Sequence, residues 1–172
     1  EGQGLPEFRQ LVDYEDTWRE DFRYPWEAVE QVWMQYWDRS KPILLDKSPA
    51  NLIRVARIDQ HFSRAYFVAM VRHPYAHCES LIRRDKMDAE AAARFALRCL
   101  QAQSENSQKS IRLFMVRYED LVDQAQKIRD DLGRFLPEIS DIELEKEFKA
   151  HNFKNRRLPL TNLNEEKIKR LS

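Results

Sequence analysis

Three clusters of charged and hydroxyl side chains each follow a short apolar run in this chain. Asp46-Lys47-Ser48 follows Ile43-Leu44-Leu45, Arg72-His73 follows the run over residues 65–71, and Arg117-Tyr118-Glu119-Asp120 follows Leu113-Phe114-Met115-Val116. If the runs are parallel strands, their carboxyl ends share one rim, where open α/β sheets bind their ligands. That rim holds three cations, a tyrosine and the N-termini of the following helices, whose free N–H groups and dipoles favour anions. A phosphate-bearing ligand fits such a rim. Among them Arg72 offers a planar fork of donors matched to phosphate oxygens. The alternative is that these charges are solvated or pair with one another across loops.

The elements that must position these groups follow from patterning. Residues 6–20 are weakly helical. Pro25 opens a stronger helix over 25–38, with Val29, Val32, Trp33, Tyr36 and Trp37 at helical spacing. Trp18, Trp26, Trp33 and Trp37 all fall in this first quarter, and such an aromatic stripe reads as core, with a substrate pocket as the alternative. Residues 43–45 read as a buried strand. Ser48 then reads as the cap, and Pro49 as the first residue, of a helix reaching His61. Residues 65–71 read as a parallel strand covered on both faces. A helix from Tyr75, a long alanine-rich helix over 88–107, a strand over 113–116 and a helix to Phe135 follow. Strands alternating with helices predict an α/β fold with a parallel sheet. The remainder, 138–172, is polar, with a basic run Lys154-Asn155-Arg156-Arg157 and a helical stretch near 162–171.

Composition removes several classes. Lys plus Arg and Asp plus Glu both number 29 among 172 residues, so no net field draws the chain to nucleic acid or an anionic membrane. The apolar runs are far shorter than the roughly 20 residues of a membrane span. Only three glycines occur, Gly2, Gly4 and Gly133. Neither G-x-x-x-x-G-K-[ST] nor G-x-G-x-x-G can be written with them. Cys78 and Cys99 are too few for a disulfide scaffold and read as buried, inert thiols. No His, Cys or carboxylate cluster has metal-ligand spacing, so no metal is expected. The opening EGQGLPEFRQ does not read as a signal peptide. A cytoplasmic location is the expectation, although a segment ahead of Glu1 can carry a signal or an anchor.

Three segments in this order, Leu45-Asp46-Lys47-Ser48-Pro49, Phe67-Val68-Ala69-Met70-Val71-Arg72-His73-Pro74 with Ser80, and Val116-Arg117-Tyr118-Glu119-Asp120-Leu121, resemble those of the sulfotransferases that use 3'-phosphoadenosine 5'-phosphosulfate. The flavour is that of tyrosylprotein-type and bacterial members. The resemblance implies a three-layer, P-loop-kinase-like fold with helices on both faces of a parallel sheet. It implies that Arg72 and Ser80 clamp the 3'-phosphate and that Tyr118 lies near the adenine. Lys47 would face the sulfuryl group and stabilise charge on the bridging oxygen, or else pair with Asp46 or Glu119. Arg156 lies in a run resembling the basic C-terminal segment of the family, without its glycine. His73 and His77 lie beside the clamp and read as local hydrogen-bonding groups. Glu119 and Asp120 read as the start of a helix, where carboxylates are favoured.

Family members place a glycine-containing phosphosulfate loop on an N-terminal strand. No candidate precedes Ile43, so the expectation is a single sulfotransferase-like domain over 1–172 that is N-terminally incomplete. In that alignment Glu1 falls on the family's catalytic glutamate, a candidate general base. The implied activity moves a sulfuryl group to a hydroxyl or amine of a small-molecule, carbohydrate or peptide acceptor, leaving adenosine 3',5'-bisphosphate. Two alternatives are a non-catalytic nucleotide- or protein-binding module and a nucleotide kinase. The second needs a Walker-type lysine and a magnesium-binding carboxylate, neither of which is identifiable.

Overall fold

The computed structural model describes residues 6–13, 15–109 and 112–144. It is a mixed α/β chain with a small parallel sheet and many helices, and it divides into two compact units. One comprises the chain up to Phe67 together with Glu105–Leu113. The other comprises Val68–Ser104 together with the chain from Phe114.

The first unit holds α1 (Pro6–Leu11), a 3₁₀ turn at Asp16–Trp18, α2 (Trp26–Tyr36), a second 3₁₀ turn at Pro49–Ile53 and α3 (Val55–His61). Val12, Val29 and Trp33 form its core, and Phe8, Phe22, Tyr24, Trp26, Trp37 and Phe62 pack against them. The aromatic stripe is therefore core for three of its four tryptophans. Trp18 is half-buried in the first 3₁₀ turn. Arg54 is only 2% exposed. Its guanidinium donates to the carbonyls of Thr17, Asp16 (3.0 Å), Arg19 (2.8 Å) and Ala50 (3.2 Å), and lies 4.2 Å from the centroid of the Tyr24 ring. A buried charge is tolerated where hydrogen bonds replace its water.

Residues 43–45 do not form a strand. Leu45 is 80% exposed, and its carbonyl accepts the indole N–H of Trp37 at 3.1 Å. The run lies between Pro42 and Pro49, and among the described residues no ladder pairs with it; Ile43 is part-buried, while Leu44 and Leu45 are exposed. Ser48 makes no side-chain cap, and what Pro49 begins is a 3₁₀ turn. The Ser48 hydroxyl donates to Asp46 at 3.3 Å instead, beside the stronger bond from the Asn51 amide at 2.7 Å.

β1 (Phe67–Val71) pairs with β2 (Leu113–Arg117). The crossover between them is α4 (Pro74–Asp85) and α5 (Ala89–Ser107), as a parallel pair requires. Pro74 starts α4, and Lys86, in the left-handed region at φ 58°, ends it. The Asp88 carboxylate accepts the Ala91 N–H at 2.8 Å and caps α5. Leu81, Ala92 and Ala96 form a second core with Cys78, Ile82, Met87 and Phe95 around it. β1 alternates in burial, with Val68 and Met70 54% and 49% exposed. The expected cover on both faces is thus absent among the described residues.

After β2 the chain forms α6 (Tyr118–Asp123) and α7 (Ala125–Phe135), broken at Gln124 (φ −137°, ψ 41°) where one helix was expected. No glycine or proline marks the break. Gly133 is placed by packing: a Cβ there would stand 3.1 Å from the Cα of Ser140.

Candidate functional site

The second unit brings the ends of its two strands together. β1 stops at Val71, and Arg72-His73 lead into α4. β2 stops at Arg117, and Tyr118-Glu119 open α6. The Arg72 guanidinium carbon lies over the Tyr118 ring, 4.9 Å from its centroid. One residue further on, the Glu119 carboxylate accepts the backbone N–H of His73 at 3.0 Å. Consecutive residues of one strand end thus hold consecutive residues of the other. Arg117 and Asp120 form an exposed pair at 3.8 Å, a contact worth little in water.

Arg72 is half-buried, and its charge is felt next door. Burial pushes the His77 imidazole below its ordinary pKa, and the guanidinia of Arg72 and Arg84 push it further. His77 also packs edge-on to Phe95. Ser80 is half-buried in α4, three residues after His77, and so shares its helix face. Arg72 and His77 are close enough for the guanidinium to depress the imidazole, and Ser80 lies one turn further along α4. Burial raises the pKa of Glu119, but the His73 N–H, its own N–H and nearby Arg117 and His73 outweigh that, and the net shift is downward. Its charge sits at the N-terminus of α4, which a helix dipole favours.

Of the residues singled out in the sequence, Arg72 and Tyr118 are in contact, with Ser80 on the helix that leaves Arg72. One face of the Tyr118 ring, the group assigned by resemblance to the adenine, carries the guanidinium. Lys47 is exposed and belongs to the first unit. Its neighbour Asp46 is engaged by Asn51 and Ser48. Glu1, Arg156 and the basic run around it lie outside the described residues. Cys99 is buried and Cys78 half-buried, and burial raises both thiol pKa values. Among the described residues no group of three or more His, Cys, Asp or Glu is placed to hold a metal ion, and no helix is long and apolar enough to cross a membrane. Sequence inspection missed the Glu119–His73 bond. Its signal was a carboxylate one residue beyond a strand end, indistinguishable there from an ordinary helix-starting acid.

A model of the sulfotransferase family matches residues 5–139, a span that includes all three of the segments singled out in the sequence. No curated protein and no solved structure gives a match.

Proposed function

We propose that this chain, which belongs to the sulfotransferase family, transfers a sulfuryl group from 3'-phosphoadenosine 5'-phosphosulfate to a hydroxyl or amine acceptor. The observation that carries the donor assignment is Arg72, half-buried at the end of β1 and seated on Tyr118, the first residue of α6. A guanidinium so placed suits the 3'-phosphate, with the Ser80 hydroxyl as second donor. Adenosine 5'-phosphate lacks that group, so Arg72 distinguishes the two nucleotides.

In the transfer, the acceptor oxygen or nitrogen forms a bond to sulfur as the bond from sulfur to the bridging phosphate oxygen breaks. Adenosine 3',5'-bisphosphate leaves with the electron pair of that bond. The acceptor's proton goes to a general base, a role assigned to Glu1 by resemblance. Lys47 has the charge to stabilise the bridging oxygen as negative charge builds there. Arg156 adds a second cation toward the 3'-phosphate. The roles of Glu1, Lys47 and Arg156 rest on the sequence resemblance, and no metal enters the scheme. Acceptors in scope are small molecules, carbohydrates and peptides. The parallel pairing of β1 and β2 through a helical crossover supports a three-layer, P-loop-kinase-like sheet.

A transfer assay tests the proposal. Labelled donor should give labelled acceptor and adenosine 3',5'-bisphosphate in equal amounts from a panel of hydroxyl and amine acceptors. Tight bisphosphate binding without transfer to any of them favours a non-catalytic module. Magnesium-dependent phosphoryl transfer from a nucleoside triphosphate favours a kinase.

A further inference from the structure

We propose that Tyr118 is a positioning residue for Arg72 and not a stacking platform for the nucleobase. The inference rests on Arg72 binding the 3'-phosphate and goes beyond it. The guanidinium carbon of Arg72 stands 4.9 Å from the Tyr118 ring centroid, on the ring face. Tyr118 is the first residue of α6, and Glu119 beside it holds the His73 N–H at 3.0 Å. That bond ties the start of α6, where Tyr118 sits, to the residue that follows Arg72.

This geometry does two things at once. A guanidinium donates its hydrogen bonds in its own plane and meets an aromatic ring with its flat face. An arginine lying on Tyr118 thus has its N–H edge directed along the ring plane rather than into the ring. Its long side chain is also ordered before the ligand arrives, which reduces the rotamer freedom lost on binding. The same contact covers that face of the ring, so a base can stack there only by displacing the arginine that holds the phosphate.

A double-mutant cycle read with two ligands tests this. Tyr118→Leu should weaken adenosine 3',5'-bisphosphate by about 3- to 30-fold, the span of a cation–π contact, and move adenosine 5'-phosphate by less than about 2-fold. In an Arg72→Ala background the same substitution should change neither affinity. Tyr118→Phe keeps the ring face and should restore the wild-type ratio of the two affinities. That variant decides the matter if the leucine variant does not fold, and loss of the ratio in it overturns the proposal. Equal losses for both ligands with Tyr118→Leu, undiminished in the Arg72→Ala background, would overturn the positioning role while leaving the phosphate clamp in place. If Arg72→Ala itself fails to discriminate between the ligands, the clamp falls and the inference falls with it.

Discussion

Glu119 accepts the backbone N–H of His73 at 3.0 Å, so a carboxylate from the end of one strand occupies the first turn of the helix leaving the other. Free N–H groups at a helix start commonly bind anions. Here one of them already has an internal anion. An incoming phosphate near α4 meets one fewer N–H donor, and Arg72 is the cation that the strand end supplies. The bond also ties β2 to α4 through a charged acceptor, whose hydrogen bonds are stronger than neutral ones.

That bond gives stability a defined acid limb. The folded pKa of Glu119 lies below the ordinary glutamate value of 4.5. A depressed folded pKa contributes stability that is present above the unfolded value and lost as pH falls through the folded one. Denaturation midpoints of the wild type should fall with decreasing pH below about 4.5, and Glu119→Gln, which keeps an acceptor but does not titrate, should fall less steeply there. Parallel curves for the two proteins would remove Glu119 as a source of the acid limb.

His77 sets a second window. Burial is the first cause of its lowered pKa, followed by Arg72 and Arg84, with Asp85 acting in the opposite direction. The sign is the same: stability is full above the ordinary value of 6.5 and falls as pH drops below it. An anion bound to Arg72 offsets that guanidinium and raises the pKa of His77. Calorimetry near pH 6 in buffers of different ionisation enthalpy should show proton uptake with adenosine 3',5'-bisphosphate. The uptake should vanish in His77→Gln, and persistence there would place the titrating group elsewhere.

Much of the second unit was legible in the sequence. β1, α4, α5 and β2 announce themselves through continuous apolar runs and an alanine-rich stretch, signals that are local. Residues 43–45 mislead because three apolar residues look alike whether they pair in a sheet or lie exposed against an indole N–H. The break at Gln124 has no local signal. Arg72 and Tyr118 were legible as candidates because they follow strand-like runs, and Ser80 through the family resemblance alone. That Arg72 sits on Tyr118, and Glu119 on His73, was not, since both contacts depend on how β1 and β2 register across the crossover.

Arg54 is the stability determinant of the first unit. Its guanidinium serves carbonyls of Asp16, Thr17, Arg19 and Ala50, so truncation strands one buried and three part-buried acceptors. Arg54→Ala should cost about 3 kcal/mol or more, since each unsatisfied buried group costs roughly 1–3 kcal/mol. Arg54→Lys should recover little, because an ammonium lacks the fork that reaches these carbonyls. Equilibrium denaturation checks this; near-wild-type midpoints for both variants would show the bonds to be dispensable.

Nucleotide binding should not depend on a divalent metal, because the proposed ligands of the 3'-phosphate are the guanidinium of Arg72 and the hydroxyl of Ser80. The affinity for adenosine 3',5'-bisphosphate should be the same in chelator and in magnesium. Abolition by chelator and recovery with magnesium would move the kinase alternative ahead.

The most direct measurement is the affinity of wild type and Arg72→Ala for adenosine 3',5'-bisphosphate and adenosine 5'-phosphate by titration calorimetry. Losing a hydrogen-bonded charge pair costs roughly 1.5–3 kcal/mol, which is about a 10- to 150-fold weakening. That loss should fall on the bisphosphate alone, with adenosine 5'-phosphate nearly unchanged, and Ser80→Ala should show the same selectivity with a smaller loss. Equal losses for both nucleotides, or none for either, would contradict the assignment of Arg72 to the 3'-phosphate.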